Sequence, residues 1–375
     1  MKKLGRLVKT LETSPENPRK GEGSFIRLKD GTIMLAFTRY VGGGSDHDYS
    51  RIVCILSSDE GESWSEEREL FNDDTDCRNN MAVSMLRLPD GNLGVCYLRK
   101  VDRPGGIIAC QPAFRHSEDE GLSWSPYTDC IDRFSYFAGT NAASIVTKAG
   151  RIITPFSDCG NTVHKYDLDP GVVRFVCSDD CGRTWKEDMS PIASPYGDKT
   201  GLQEPGLLEM DDGTLFCHMR TAYGFQYQSV STDGGKSWST PEPALLFPSP
   251  DAPMRICRAG ERVLAVFNPR THNPAGGPQT PWGSPARTPL MMAVSRDGGA
   301  SFVCRAKDFN FRAFKAFSAN CRMLENDPCD SYCYPAMIDT IDGCLVTYYC
   351  DEGSGRVLNV SRVLKLTNAE LNGEA

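Results

Sequence analysis

Apolar residues along the chain form short runs that a tight turn interrupts before the next run begins. Six such pairs of runs recur: FIRLKDGTIMLAF (25–37), MLRLPDGNLGVCY (85–97), IVTKAGRIITPF (145–156), LLEMDDGTLFCHM (207–219), ICRAGERVLAVF (256–267) and MIDTIDGCLVTYY (337–349). Asp-Gly between apolar runs is a strong hairpin signal. The pattern predicts six β-hairpins and, because no long stretch has the helical period, little helix.

A second repeat, Ser-x-Asp-x-Gly-x-x-Trp, follows each of the first five hairpins. Four copies begin at Ser57, Ser117, Ser178 and Ser231, and a fifth at Ser295 has Phe in place of Trp. The aspartate can accept backbone N–H groups, the glycine supplies a positive φ, and the aromatic ring can pack under the turn. Because a residue repeated five times cannot be unique to an active site, we interpret these aspartates as structural.

Each repeat therefore consists of a hairpin, a third strand, a boxed turn and a fourth strand. Six such units in a ring predict an all-β fold, a six-bladed β-propeller that forms a single domain over residues 1–375. The sixth hairpin has no box after it, and one segment precedes the first hairpin. We therefore expect residues 4–11 to pair with residues 357–367 and close the ring.

Composition narrows the class of protein. Lys and Arg total 41 against 49 Asp and Glu, for a formal net charge of −8, which argues against nucleic acid as the main partner. The chain has no run of about 18 apolar residues, so we expect no membrane-spanning helix. No apolar signal-peptide core follows the N-terminal MKKLGRLVK, so we expect a cytoplasmic protein, or a secreted one if a signal was removed.

The sixteen cysteines raise the question of a metal site. Cys177 and Cys181 are four residues apart, as are Cys329 and Cys333, but no Cys-x-x-Cys pair or histidine at ligand spacing accompanies them. Many of the others lie inside apolar runs. We therefore expect buried thiols and neither a metal nor a cofactor.

Loops at the mouth of a propeller channel build its site, and the run before each hairpin glycine is expected to be the inner strand. Nine residues before those glycines lies a mostly polar set: Glu22, Ala82, Asn141, Glu204, Asp251 and Tyr334. The register is loose by a residue or two, so the ring also includes Arg19, Arg78, Asn80 and Arg255. This ring predicts a pocket for a polar, anionic small ligand.

Five boxes on six predicted blades resemble the sialidase (neuraminidase) superfamily over essentially the whole chain. The resemblance implies an exo-α-sialidase-like glycoside hydrolase that acts on sialylated or other acidic glycans and retains stereochemistry. The boxes themselves indicate only the fold, since they also occur in proteins that cleave nothing. The activity therefore depends on whether this sequence has the family's individual functional residues.

Sialidases use a tyrosine nucleophile, an assisting glutamate and an aspartate acid/base, an exception to the two-carboxylate rule of glycosidases. Tyr334 in YCYPAMI resembles the nucleophile, and Glu204 in LQEPGLLEM resembles the assisting glutamate. Asp46 in the glycine-rich loop VGGGSDHDYS resembles the acid/base, with Asp48 as its close competitor. An Asx turn is the structural alternative for Asp46.

The family also clamps the substrate carboxylate with three arginines. Arg220 and Arg287 match the second and third, although pairing with glutamates between blades is their structural alternative. The first belongs to an Arg-Ile-Pro motif, and Gly21 stands at its place in NPRKGEGSFIRLKDG. Arg19, two residues upstream, and Arg78, from the next blade, are candidate replacements.

Two other functions stay open at this point. One is a propeller glycosidase or lyase for another uronic-type sugar, which the missing first arginine and Glu22 favour. The other is a glycan-binding propeller without catalysis. The loop 271–286, with Trp282, is expected to be irregular and either forms an apolar wall for a sugar substituent or is an exposed linker. Linkage, oligomeric state and the choice between hydrolysis and intramolecular transfer stay open too.

Overall fold

The structure is nearly all β, with 49% of the described residues in strands and 7% in helices. The computed structural model describes residues 2–72, 77–160, 169–197, 200–269, 287–327, 330–351 and 358–374. The strands described are β1 (Arg6–Leu11), β2 (Lys20–Arg27), β3 (Ile33–Tyr40), β4 (Ser50–Ser57), β5 (Arg68–Glu69), β6 (Asn79–Arg87), β7 (Leu93–Arg103), β8 (Ile107–Ser117), β9 (Thr128–Asp129), β10 (Phe137–Ala138), β11 (Ile145–Val146), β12 (Ile152–Asp158), β13 (Val172–Ser178), β14 (Gln203–Glu209), β15 (Leu215–Arg220), β16 (Phe225–Ser231), β17 (Glu242–Pro248), β18 (Arg255–Ala259), β19 (Arg262–Phe267), β20 (Leu290–Ser295), β21 (Cys321–Glu325), β22 (Cys333–Thr340), β23 (Gly343–Cys350) and β24 (Val360–Thr367). Two short helices are α1 (Phe311–Ala319) and α2 (Asn368–Asn372).

These strands form six four-stranded sheets, one for each predicted blade. Blades 1, 2, 4 and 5 have the orders β2-β3-β4-β5, β6-β7-β8-β9, β14-β15-β16-β17 and β18-β19-β20-β21. In blade 3, β12 pairs with β10 and β11 on one edge and with β13 on the other. The inner strands contact one another around the axis, with β2 against both β6 and β22, and β18 against β14 and β22. The predicted six-bladed propeller is confirmed.

The two ends of the ring meet in blade 6, whose order is β22-β23-β24-β1. β1 pairs antiparallel with β24, from Arg6 opposite Lys365 to Leu11 opposite Ser361. The predicted closure of the ring by the N-terminal segment is confirmed.

Each boxed turn follows the third strand of its blade, and the first shows how the motif works. Ser57 Oγ donates to Asp59 Oδ1 at 2.8 Å and accepts from Gly61 N at 2.8 Å, while Ser63 N donates to Asp59 Oδ1 at 2.9 Å. Gly61 has a φ of 85°, a conformation that costs other residues energy. Trp64 Nε1 donates back to Gly61 O at 3.2 Å, so the box side chains close their own turn.

The apolar core lies between the blades. Met34 and Ile52 of blade 1 pack with Val83 and Val95 of blade 2, and similar clusters fill the other five interfaces. All fifteen cysteines in the described part of the chain are free, and twelve of them are buried. Within the same residues, no helix has the length and apolar character needed to cross a membrane.

Candidate functional site

Four of the inner strands, and the segment between β10 and β11 in blade 3, share one distortion at their mouth ends. A non-glycine residue there has a φ between 42° and 55°: Glu22, Ala82, Ala142, Glu204 and Tyr334. In these four strands the pairing register shifts at the same point, as in a β-bulge. A left-handed conformation costs an L residue roughly 1–2 kcal/mol, and a bulge redirects a side chain. Such strain is typical of functional positions.

Counting nine residues back from the hairpin glycines therefore finds this position in four blades. In blade 3 the count is wrong by one, because the left-handed residue is Ala142 and not Asn141. In blade 5 the count reaches Asp251, which precedes the inner strand that begins at Arg255. Asp251 nevertheless contributes to the site from its loop, as described below.

Tyr334 and Glu204, predicted as nucleophile and assisting glutamate, form a direct hydrogen bond. Tyr334 Oη donates to Glu204 Oε1 at 2.5 Å, and Arg220 Nη1 donates to Glu204 Oε2 at 2.7 Å. Burial, followed by the charge of Glu204, raises the pKa of Tyr334 well above its usual value. The phenol therefore keeps its proton in this state, and Glu204 is placed to receive it.

Arg220 and Arg287 converge on Asp251. Arg220 Nε donates to Asp251 Oδ1 at 2.6 Å, and Arg287 Nη2 donates to the Asp251 carbonyl at 2.9 Å. Arg287 Nη1 also contacts Cys333 Sγ at 3.0 Å, one residue before Tyr334. The structure thus brings both predicted clamp arginines to the surroundings of Tyr334. Arg220 does pair with a glutamate, but Glu204 lies in the same blade, so this is not the pairing between blades that was the structural alternative.

Arg19 lies on the other side of the site and is 3% exposed. Its Nε donates to Tyr349 Oη at 3.2 Å, its Nη1 donates to Asp46 Oδ1 at 2.5 Å and to the Gly44 carbonyl at 3.2 Å, and its Nη2 donates to Glu22 Oε1 at 3.3 Å. Four of its five N–H groups are therefore used. Arg19 cannot bind a carboxylate bidentately in this arrangement.

The position of the family's first arginine is closed by an aromatic ring. A Cβ added to Gly21 would lie 2.1 Å from Tyr349 Cε1 and 2.6 Å from Ser361 Oγ. Tyr349 also holds Arg19, whose guanidinium lies 5.2 Å from the Tyr349 ring centre and 4.6 Å from that of Tyr40. The absent arginine is thus replaced by a packed tyrosine and not by a second cation in the same place.

Asp46 and Glu22 differ electrostatically although both contact Arg19. Burial alone would raise the pKa of Asp46, but the charges of Arg19 and Lys100 lower it below its usual range. Lys100 Nζ also donates to the Asp46 carbonyl at 2.6 Å. For Glu22, burial is the largest influence and raises its pKa from 4.5 to about 7 despite Arg19. Asp46 is therefore ionised at neutral pH, whereas Glu22 titrates near it.

The remaining predicted residues have other partners. Asp48 Oδ2 accepts from Ser45 N at 2.7 Å and so shapes the loop that carries Asp46. Asn141 Nδ2 donates to the Gly23 carbonyl at 2.6 Å and to the Tyr334 carbonyl at 3.3 Å, which ties blade 3 to blades 1 and 6.

Two predicted arginines do not join the cluster. Arg78 forms a half-exposed ion pair with Asp102, with 3.2 Å between Nε and Oδ2, so the structure does not support it as a clamp residue. Arg255 is buried against Gly206 and His218 at the interface of blades 4 and 5. Burial and the charge of Arg255 lower the pKa of His218 to about 3, so this histidine is neutral.

A pocket with a cavity volume of about 90 Å³ opens beside these groups. Its lining includes Glu22, Asp46, Glu204, Tyr334 and, not anticipated from the sequence, Lys100 and Tyr136. Lys100 lies nine residues after a hairpin glycine, as Tyr40 does, so a forward count from the glycines is a signal that could have found it.

Two further sequence expectations concern a metal ion and the loop that carries Trp282. In the described part of the chain, no cluster of three His, Cys, Asp or Glu side chains could hold a metal ion. Trp282 and the loop 271–286 lie outside the described residues, as does Cys329.

The profile of a family described as BNR repeat-like domain matches residues 101–347. An anhydrosialidase from Macrobdella decora is 29% identical over 243 residues, which make up 58% of this chain and 30% of that protein. A sialidase from Paraclostridium sordellii is 24% identical over 244 residues, 59% of this chain and 57% of that protein. The matched part is thus less than two thirds of either relative.

Solved structures agree with the fold. A leech intramolecular trans-sialidase, determined with 2,7-anhydro-Neu5Ac, superposes with a TM-score of 0.68 over 100% of this chain and 72% of its own. The identity is 14%, so this likeness concerns the propeller and its blade arrangement.

Proposed function

Because the chain belongs to the BNR repeat-like domain family and is a sialidase-superfamily propeller, we propose that it is a glycosidase that releases a terminal acidic sugar, with Tyr334 as the nucleophile. The observation that carries this proposal is the 2.5 Å hydrogen bond from Tyr334 Oη to Glu204 Oε1. A free phenol is a weak nucleophile at neutral pH, so it needs a base within hydrogen-bond reach.

The charges around the pair suit this chemistry. As Tyr334 attacks the anomeric carbon, its proton passes to Glu204 Oε1. Arg220 compensates the carboxylate at Oε2, and Arg287 supplies a second guanidinium nearby. These two arginines offer N–H groups to the substrate carboxylate. Because that carboxylate would repel an anionic nucleophile, a neutral phenol suits this substrate. Asp46, at the mouth, is the proposed group that protonates the leaving oxygen and later activates water.

The substrate within this class is proposed to be a sialoside, in keeping with the names of the relatives. Another acidic sugar, of the uronic type, is a second candidate that one observation favours. Tyr349 fills the place of the first clamp arginine, and Arg19 has one N–H group left to offer. A two-arginine clamp demands less of the carboxylate's position than a three-arginine clamp does.

The test is turnover of an aryl α-sialoside and of aryl uronides by the wild type, Tyr334→Phe and the matched control Tyr348→Phe. Tyr348 is a buried tyrosine that donates to Glu325, outside the pocket. We expect wild type and Tyr348→Phe to cleave one substrate class and Tyr334→Phe to lose on the order of 10³-fold in kcat. Binding without turnover by the wild type would instead support a glycan-binding propeller. Retained activity in Tyr334→Phe would contradict the assignment of the nucleophile.

A further inference from the structure

The proposed acid, Asp46, has an unexpected partner. A group that protonates a leaving oxygen must hold a proton when the substrate arrives. Asp46 Oδ1 instead accepts a 2.5 Å hydrogen bond from Arg19, and Lys100 binds its carbonyl. Both cations favour the ionised carboxylate. With Arg19 committed to it, Asp46 has a low affinity for a proton, so it does not hold the proton that a general acid must deliver.

Arg19 itself cannot leave to release Asp46. Its guanidinium is held between the rings of Tyr40 and Tyr349, its Nε donates to Tyr349 Oη, and the residue is 3% exposed. A buried guanidinium needs a counter-charge, because an unpaired buried charge is strongly unfavourable. If Asp46 is to be neutral, another anion must form the ion pair with Arg19.

Glu22 is that anion. It is 2% exposed, its Oε1 accepts from Arg19 Nη2 at 3.3 Å, and its Oε2 accepts from Ala82 N at 3.2 Å. The two carboxyl groups thus occupy the two terminal nitrogens of one arginine. Other titratable groups whose charges bear on Glu22 are Lys100, Glu204, Tyr334, Tyr40, Tyr136, Tyr349 and Cys110.

We propose that Glu22 and Asp46 form one unit across Arg19 that holds a single proton, and that Glu22 is the positioning residue that allows Asp46 to carry it. When Glu22 is protonated, Arg19 is neutralised by Asp46. When Glu22 is ionised, it replaces Asp46 as the counter-ion of Arg19. The proton then resides on Asp46 at the open side of the pocket. Such a pair titrates with values that belong to both groups. The rise of the Glu22 pKa to about 7 agrees with a pair that exchanges its proton near neutral pH.

The inference rests on the proposed function, and its first test uses substrates of that class. Leaving-group protonation matters for an alkyl glycoside and little for an aryl glycoside with an acidic phenol. We expect Glu22→Gln to lower kcat/KM for the alkyl glycoside by at least about tenfold more than for the aryl glycoside at pH 7. The alkaline limb of the alkyl-glycoside profile should move down by more than about one pH unit.

Glu325→Gln is the matched control, because Glu325 is also buried and paired with a lysine and a tyrosine, outside the pocket. We expect it to leave the alkyl-to-aryl ratio and the pH profile unchanged. Equal loss on both substrates by Glu22→Gln, with an unmoved alkaline limb, would show a purely structural role and overturn the proposal.

A second test does not need turnover, so it separates failure of this inference from failure of the proposed function. Carboxyl ¹³C NMR follows the titration of Glu22, identified by the signal that Glu22→Gln removes. We expect this titration near pH 7 in the wild type and at clearly lower pH in Asp46→Asn, because Glu22 then has Arg19 to itself. The same Glu22 titration in both proteins would overturn the shared-proton unit even if the enzyme cleaves acidic glycosides.

Discussion

The site contains two similar clusters on opposite sides of one pocket, and their difference is the basis for the different tasks that we propose for them. In each, an arginine contacts one glutamate from a left-handed bulge and one aspartate from a loop. Arg220 contacts Glu204 and Asp251, whereas Arg19 contacts Glu22 and Asp46.

The difference lies in what else each glutamate meets. Glu204 accepts a hydrogen bond from the Tyr334 hydroxyl, as the proposed activation of a nucleophile requires. Glu22 has a backbone N–H as its other partner, and its arginine is enclosed by two aromatic rings. In our proposal, the same set of charges serves nucleophile activation where a phenol is present and proton storage where it is not.

The largest effect is expected from a substitution in the first cluster, the one that contains Arg220. Glu204→Gln removes the base but keeps the shape, so kcat should fall by about 10²–10⁴-fold. Because Glu204 and Tyr334 act as a unit, Glu204→Gln combined with Tyr334→Phe should be little worse than Tyr334→Phe alone. Steady-state kinetics of the two single variants and the double variant check this. Fully multiplicative losses would contradict a shared step.

The second prediction concerns the closed arginine position. Gly21→Ala places a Cβ 2.1 Å from Tyr349 Cε1, so we expect it to destabilise the fold by about 1–3 kcal/mol through overpacking. Thermal unfolding measures this. As a control, Gly31→Ala adds a Cβ that meets no atom within 4 Å, although its φ of 90° carries a strain penalty of its own. A cost for Gly21→Ala no larger than that for Gly31→Ala would contradict the role of Tyr349.

The third prediction is the pH dependence of stability that Glu22 causes. Its pKa in the folded protein is about 7 against 4.5 for an unperturbed group, so the folded state binds the proton more tightly. Stability from this source is present below about pH 4.5 and is lost as the pH rises through 7. Relative to Glu22→Gln, the wild type should lose on the order of 1–3 kcal/mol across that interval.

Urea unfolding of the two proteins at several pH values measures this difference, with Glu325→Gln as the isosteric control. A constant difference between wild type and Glu22→Gln from pH 4.5 to 8 would show that the Glu22 carboxyl is not perturbed by the fold.

The smallest effect is expected at a boxed turn. Asp59→Ala removes the acceptor of the Ser57, Ser63 N and Ser63 hydroxyl hydrogen bonds, on the side of blade 1 that faces away from the pocket mouth. We expect the melting temperature to fall by a few degrees and kcat/KM to stay the same. A selective loss of activity without a change in melting temperature would contradict the structural interpretation of the boxes.

The sequence predicts the fold well because both repeats are local. An Asp-Gly turn or a box is decided by a few neighbouring residues, and copies at regular spacing specify the blades. Even the pairing of β1 with β24 can be predicted, because the sixth repeat lacks a strand and one segment before the first hairpin is left over to supply it. The mouth position of the inner strand is also found in four blades, because the bulge lies at a fixed distance from the turn.

The partners within the site are harder to predict because they depend on long-range geometry. Nothing in the local sequence shows that Tyr349 would fill the space beside Gly21, since the two are more than 300 residues apart and meet only when the ring closes. Arg78 and Arg19 look equivalent as candidates, yet one ends at the surface with Asp102 and the other between two aromatic rings. A count backwards from the turns does not reach Lys100, because this residue lies nine positions after Gly91.

The left-handed position at the mouth has a further consequence, for engineering. Five blades present the same backbone geometry to one channel, and two of the five positions carry alanine. Ala82 and Ala142 are therefore positions where a functional side chain could be introduced by substitution, because the fold already accommodates their strained backbone. A carboxylate, phenol or imidazole introduced there would enter the channel in the manner of Glu22, Glu204 and Tyr334, so new chemistry could be installed in this ring without redesigning a loop.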